Sequence, residues 1–257
     1  MRVRIVGAGR AGRSFEGALR DTGAEVDLLQ ARASRGTPAL FRALQDVEAL
    51  LVAVPDRFVE EVAAEIAPVA GAVVLHCSGS LPLSVLSQGA GGGHAKTASL
   101  HPLVTLPDPV LGALRLRNGA FFAVSGDQLA TELALLLKGR PIVVGEADRA
   151  RYHAAATVAA NHLVGLLGQV ERIARSAGLP LEAFLPLARG ALDDISILGP
   201  KRALTGPAAR GDLATLEAHR AALDESELEG YEAGVRLARR LVSPATEQAG
   251  ASPSPCS

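Results

Sequence analysis

The sequence predicts an α/β domain with a mostly parallel sheet, followed by an all-α domain. Three observations carry this prediction. Short apolar runs alternate with helix-period segments up to about residue 148. Beyond that point no strand pattern recurs, and apolar residues return every three or four positions. A glycine-spaced turn, Gly7-Ala8-Gly9-Arg10-Ala11-Gly12, lies between the first apolar run and the first helix pattern.

Residues 2–6 read as a strand, and Phe15 and Leu19 recur at helix spacing before Gly23 closes that helix. Residues 25–30 and 49–53 are the next strands, the latter stopped by Pro55. A helix over 56–66 ends before Pro68. Strands follow at 72–76, 97–101, 120–125 and 141–144, with a helix over 128–137. A long helix runs from Arg149 to Ala177, and further helices cover 181–193, 213–222 and 225–241. Residues 89–93 read as a flexible turn, 199–211 as a Gly- and Pro-rich loop, and 243–257 as a disordered tail. The expected organisation is a nucleotide-binding domain over 1–148, a helical substrate or dimerisation domain over 149–242, and the tail.

Composition narrows the partners. The chain has 257 residues with 26 basic and 27 acidic side chains, a balance that argues against a nucleic-acid binder with a net basic face. No Trp is present, so the core must be built from Ala, Leu and Val. Cys77 and Cys256 make no disulfide framework, which fits a reducing compartment. The first residues form a strand pattern rather than a signal-type apolar region, and no window has the length and apolarity of a membrane span. A cytoplasmic protein with no membrane partner is expected. The six histidines lack metal-ligand spacing, so no metal is expected. Cys77 reads as a buried, inert thiol rather than a nucleophile.

The glycine turn carries the first chemistry. Gly7 permits a tight turn, Gly9 lets backbone approach a diphosphate, and Gly12 allows close helix–strand packing. The free amides that open the helix, at Arg10, Ala11 and Gly12, favour an anion. A plain turn without ligand is the competing reading. The end of the second strand selects the cofactor. Asp27 lies inside the strand, too early to reach a ribose, whereas Arg32, Ser34 and Arg35 follow it. These three suit a 2′-phosphate through charge-assisted bonds, so NADP(H) is expected over NAD. The alternative is a solvated loop face.

Other polar groups follow strand ends, where ligands of open parallel sheets bind. Val54 and Pro55, with Asp56, are placed to line the dinucleotide. Ser78 can donate to a substrate oxygen or to the nicotinamide amide, or can serve as a helix cap. His101 can contact substrate or brace its loop. In the long helix His153, Thr157 and Asn161 recur at a spacing of four, which puts them on one α-helical face. His153 and Asn161 can orient a carbonyl, with His153 a candidate proton donor, or form an interhelical network. Arg210 can clamp a carboxylate, or pair with Asp193 or Asp194. Asp212 is a candidate N-cap, and His219 a candidate for a subunit interface or for contact with the Arg210 loop.

Five segments together carry a resemblance: Gly7 to Gly12; His76-Cys77-Ser78-Gly79; Ser99-Leu100-His101-Pro102-Leu103; Tyr152 to Ala156 with Asn161; and Leu204 to Pro207 through Arg210-Gly211-Asp212 with His219. Over residues 1–242 the chain resembles the Rossmann-like proteins with a C-terminal helical domain of unknown function 2520. That family is similar to the 6-phosphogluconate dehydrogenase-like group, which includes ketopantoate, pyrroline-carboxylate and hydroxyisobutyrate enzymes. The resemblance implies an NADP-dependent reductase of a small anionic carbonyl or imine acid, with ketopantoate reduction as the named reaction. It also implies a homodimer formed through the helical domain. Ketopantoate and hydroxyisobutyrate enzymes use a lysine at the start of the interdomain helix. Here His153 stands near that place, no Lys occurs between 139 and 200, and Asn161 matches a substrate-orienting Asn. A reductase of another keto or imino acid and a non-catalytic NADP-binding sensor or scaffold are the competing expectations.

Overall fold

The structure, a computed structural model, describes residues 1–94 and 96–242. The expected tail, with Cys256, lies outside the described residues. The chain divides into two compact units, residues 1–160 and a second beginning at Asn161.

The first unit opens with β1 (Arg2–Val6), α1 (Arg10–Arg20) and β2 (Glu25–Leu29), then two short helices, α2 (Ala31–Ser34) and α3 (Pro38–Phe41). There follow β3 (Ala49–Val52), α4 (Val59–Ala64), β4 (Val73–His76), and a small hairpin of β5 (Gln88–Gly89) and β6 (Gly92–Gly93). The unit continues with β7 (Thr97–Pro102), α5 (Pro109–Arg117), β8 (Phe121–Gly126), α6 (Leu129–Leu136), β9 (Arg140–Val143) and α7 (Arg149–Thr157). Seven strands form one sheet in the order β2-β1-β3-β4-β7-β8-β9. Every neighbouring pair is parallel except β7 and β8. The chain leaves β1 towards β2 on one side and returns to β3 on the other, which makes β1/β3 a switch point with a crevice beyond the strand ends.

The sheet is covered on both faces, so all four residues of β3 and of β4 are buried. Val3, Ile5 and Leu51 pack with Phe15, Leu19 and Phe122, while Val6, Leu50 and Val52 pack in a second cluster with Leu40, Val59 and Ile66. Helix α1 packs closely on α5, because a Cβ on Gly112 would fall 2.0 Å from Ser14 Oγ. Helix α5 goes unread in the sequence although Asp108 caps it, accepting from the amides of Val110 and Leu111 at 2.9 Å ahead of Pro109. The expected helix over 56–66 splits into a 3₁₀ turn, Asp56–Phe58, and α4.

The expected domain boundary at 148 falls before α7, yet α7 stays with the sheet. Arg149 is buried and donates to Ser99 Oγ at 2.9 Å and to Ser125 Oγ, two residues paired across β7 and β8. Its charge is met by Glu146 at 3.0 Å. This buried guanidinium, bonded to both strands and to Glu146, holds the helix start to the sheet.

The long helix is not α throughout. A π turn, Val158–His162, separates α7 from α8 (Leu163–Ser176). The spacing of four from Thr157 to Asn161 therefore does not follow the α period, a correction to the single-face reading. Single π turns widen the helix at an energetic cost and recur at functional sites.

The second unit contains α8, α9 (Leu185–Leu198), α10 (Pro200–Ala203), α11 (Pro207–Arg210), α12 (Leu213–Ala222) and α13 (Glu225–Val242). The expected loop at 199–211 holds the two short helices. Each starts with Pro after a glycine at positive φ, Gly199 at +75° and Gly206 at +97°. Arg172 pairs with Glu227 at 2.5 Å and Gln169 donates to the Glu227 carbonyl at 2.8 Å, which ties α8 to α13. Among the described residues no helix is long and apolar enough to cross a membrane.

Candidate active site

The three glycines of the first turn have different physical reasons. Gly7 has φ +123°, and a Cβ on it would lie 2.3 Å from the Ala53 carbonyl oxygen. A Cβ on Gly12 would lie 1.8 Å from the Gly7 carbonyl oxygen. Both are demanded by the fold. Gly9 is exposed, at φ −77°, and nothing lies within 4 Å of its missing Cβ. The fold does not require glycine there, so the open space is what a ligand can use.

Gly9 also occupies the N-cap of α1 without any side-chain cap, and the first turn has no acidic residue. The amides of Arg10, Ala11 and Gly12 thus remain available at the positive end of an eleven-residue helix. Val54 and Pro55 follow β3 beside this turn, and Val54 Cγ1 would touch a Cβ on Gly7 at 3.2 Å.

Beyond β2 the three candidates part company. Ser34 is buried, and its carbonyl accepts from Thr37 Oγ1 at 2.6 Å. Arg35 is bound to Glu61 and to Glu65. Arg32 is exposed and has no ion pair among the described residues. Asp27 pairs with Arg4 at 2.8 Å from within β2.

Beyond β4, Ser78 Oγ donates to Asp56 Oδ2 at 2.8 Å and accepts from the amides of Ser80 and Leu81 at 3.1 and 3.2 Å. It caps the local turn, with its proton committed to Asp56, so the capping reading describes its contacts here. Gly79 follows, and a Cβ on it would lie 2.6 Å from His153 Cδ2 and 2.9 Å from His101 Nε2. Glycine is what admits both imidazoles to this loop. Their rings meet edge to face at 6.0 Å. His101 Nδ1 is 2.6 Å from the Tyr152 hydroxyl oxygen, and those rings are also edge to face, at 5.7 Å.

The electrostatics keep His101, Tyr152 and the neighbouring His76 neutral. Burial, then His153, pushes His101 down to about 4. His76 is wholly buried at the end of β4, neither ring nitrogen has a partner of hydrogen-bond geometry among the described residues, and burial followed by Arg149 lowers it to about 4. Burial pushes the Tyr152 phenol up to about 12. At neutral pH, His101 is therefore a neutral imidazole beside a protonated phenol. Such a pair can polarise a carbonyl or imine without carrying charge. Cys77 is pushed up to about 12, chiefly by burial, so it holds no thiolate.

In the second unit, Asn161 is exposed within the π turn. Arg210 ends α11, exposed and without an ion pair to Asp193 or Asp194. Asp212 caps α12, accepting from the Thr215 amide at 3.1 Å. His219 Nδ1 is 2.7 Å from the Tyr231 hydroxyl oxygen.

Residues 122–238 match the family model described as Domain of unknown function (DUF2520). That model covers a little under half of the chain. Its match runs from β8 into α13 and includes Tyr152, His153, Asn161 and Arg210, while the glycine turn, Ser78 and His101 precede it. No curated protein matches the chain significantly. Among solved structures, it is similar to a Bacteroides fragilis protein provisionally named an NADP oxidoreductase, with TM-score 0.74, 21% identity, and coverage of 93% of this chain and 98% of that one. A Thermotoga maritima protein, named without an activity, matches with TM-score 0.70, 26% identity and the same coverage. Plasmodium falciparum pyrroline carboxylate reductase, solved with NADP bound, matches with TM-score 0.60, 12% identity, and coverage of 95% and 98%. These likenesses show a Rossmann-like domain followed by a helical part, as the sequence predicts.

Within the matched segment, Tyr152 and Arg149 are the site residues the sequence reading leaves without roles. Arg149 lies three residues before Tyr152, one turn away on the face that meets the sheet. That spacing was the available signal.

Proposed function

We propose that this protein is an NADP-dependent oxidoreductase that reduces a small anionic carbonyl or imine acid. The open Gly9 position at the uncapped start of α1, beside the β1/β3 switch point, is the observation that carries the reading. The residues present fit the group. The amides of Arg10, Ala11 and Gly12 would hold the diphosphate, Val54 and Pro55 would flank it, and Arg32 would meet a 2′-phosphate. Arg35 joins only if it leaves Glu61 and Glu65, and Ser34 only if its turn opens. When bound, the nicotinamide supplies the hydride.

The protein's own part is orientation and polarisation. His101 and His153, brought together over Gly79, face the substrate's oxygen or nitrogen, while Ser78 holds their loop through Asp56. Asn161 and Arg210 are proposed to orient the substrate and its carboxylate. Ketopantoate is the first named substrate. The likeness to a pyrroline carboxylate reductase supports cyclic imino acids beside it.

The protein is further proposed to work in the cytoplasm as a homodimer through its helical unit. Val164 and Leu166 on α8, and Leu187 and Ile197 on α9, are exposed apolar side chains that a second copy would cover. The deciding assay follows NADPH oxidation with ketopantoate, other 2-keto acids and 1-pyrroline-5-carboxylate. Turnover with one of them, lost in His101→Ala, supports the proposal. No oxidation with any of them removes it.

A further inference from the structure

Among the described residues Tyr152 makes one side-chain hydrogen bond, to Nδ1 of His101 at 2.6 Å. Phenol O–H is a stronger donor than a neutral imidazole N–H, and an imidazole nitrogen is a stronger acceptor than a phenol oxygen. With no other acceptor for the phenol proton among the described residues, the bond runs from Tyr152 to Nδ1. The ring proton of His101 must then be on Nε2. Among the described residues that nitrogen has no hydrogen-bond partner, and it is not one of the buried, unpartnered nitrogens, which are both of His76, Nδ1 of His94 and Nε of Arg117. It faces Gly79, which has no side chain to block it.

We propose that Tyr152 is a positioning residue that locks His101 as the Nε2–H tautomer, so that His101 Nε2 donates the hydrogen bond to the substrate's carbonyl oxygen or imine nitrogen. The identity of that substrate atom rests on the reductase reading; the lock itself does not. The geometry explains why the pair is built from one turn of α7 and the end of β7. Burial keeps both partners uncharged, Arg149 fixes the helix start, and the edge-to-face packing at 5.7 Å sets the ring plane. A neutral donor with a fixed tautomer needs no reorganisation when charge develops on the substrate. His153 then supports the His101 ring rather than supplying the donor.

The test is nitrogen-15 NMR of histidine-labelled full-length protein at pH 7, without nucleotide, with His101→Gln assigning the signals. The expected wild-type spectrum shows His101 with Nδ1 unprotonated and Nε2 protonated. Tyr152→Phe, which keeps the ring packing, is expected to give a tautomer mixture. A protonated Nδ1 in the wild type, or an unchanged tautomer in Tyr152→Phe, overturns the lock. If Tyr152→Phe unfolds, shown by lost amide dispersion, the wild-type spectrum decides alone. With ketopantoate or 1-pyrroline-5-carboxylate, Tyr152→Phe is expected to lower kcat about 10-fold or more, with KM changed less than about twofold. Equal loss in both overturns the donor role. A wild type with the lock in place that reduces neither compound overturns the reductase reading and leaves the lock standing.

Discussion

Gly12 stands so close to Gly7 that a Cβ on it would fall 1.8 Å from the Gly7 carbonyl oxygen, whereas Gly9 between them has nothing within 4 Å. This difference separates folding from binding within one turn. Gly12→Ala must displace backbone, and it is expected to destabilise the protein by about 2–3 kcal/mol or more. Gly9→Ala adopts an ordinary φ of −77° and should change stability by less than about 0.5 kcal/mol. It should nevertheless weaken NADPH binding at least about 10-fold by filling the approach to the diphosphate. Thermal melts and fluorescence titrations measure the two effects. Gly9→Ala with unaltered NADPH affinity would remove the diphosphate from this turn.

Arg32 and Arg35 are three residues apart and differ in employment. Arg35 is held by Glu61 and Glu65, while Arg32 is exposed and unpaired among the described residues. Arg32→Ala is expected to cost about 1.5–3 kcal/mol of NADPH binding and almost none of NADH binding. Arg35→Ala should affect NADPH less. Equal losses for the two nucleotides in Arg32→Ala would point away from the 2′-phosphate.

His76 makes the fold acid-sensitive. Burial, then the charge of Arg149, lowers it from 6.5 to about 4, against the smaller opposing pull of Asp56 and Glu146. Between those values the unfolded chain binds the proton and the folded one does not, so stability rises with pH across that window. Its share of the loss, complete by about pH 4, is about 3 kcal/mol. His76→Leu removes two unpartnered buried nitrogens along with the proton site. It should melt no lower than wild type at pH 7 and clearly higher at pH 4.5. An unchanged acid limb in His76→Leu would assign the sensitivity to His101, which also falls to about 4.

Cys77, half-buried against the core, is inert because desolvation keeps its thiol protonated. With its thiol pushed up to about 12, alkylation of Cys77 in the folded protein at pH 7.5 should be far slower than in denaturant. Cys77→Ala should keep its activity. Rapid native alkylation, read by peptide mapping, would contradict the suppressed thiolate.

The seven strands of the main sheet, the glycine turn and the capped start of α12 were legible because each depends on residues close in sequence. The period of two or 3.6 shows the element, and Asp212 three residues before Thr215 shows the cap. Helix α5 had equally local signals in Asp108 and Pro109, and they went unread. The short helices α10 and α11 were hidden because their glycines and prolines also describe a loop. The π turn was invisible because Val158 to His162 contains nothing that departs from an α pattern.

The amino-acid order alone determined that a glycine-spaced turn joins the first strand to the first helix and that polar groups end β4 and β7. Only the tertiary structure decided which of those groups act together. His101 and Tyr152 are 51 residues apart, and Arg35 and Glu61 are 26 apart. Pairings of that range arise when the sheet closes and the helices pack on it. Burial then sets which imidazole is neutral, which arginine is occupied and which glycine faces open space.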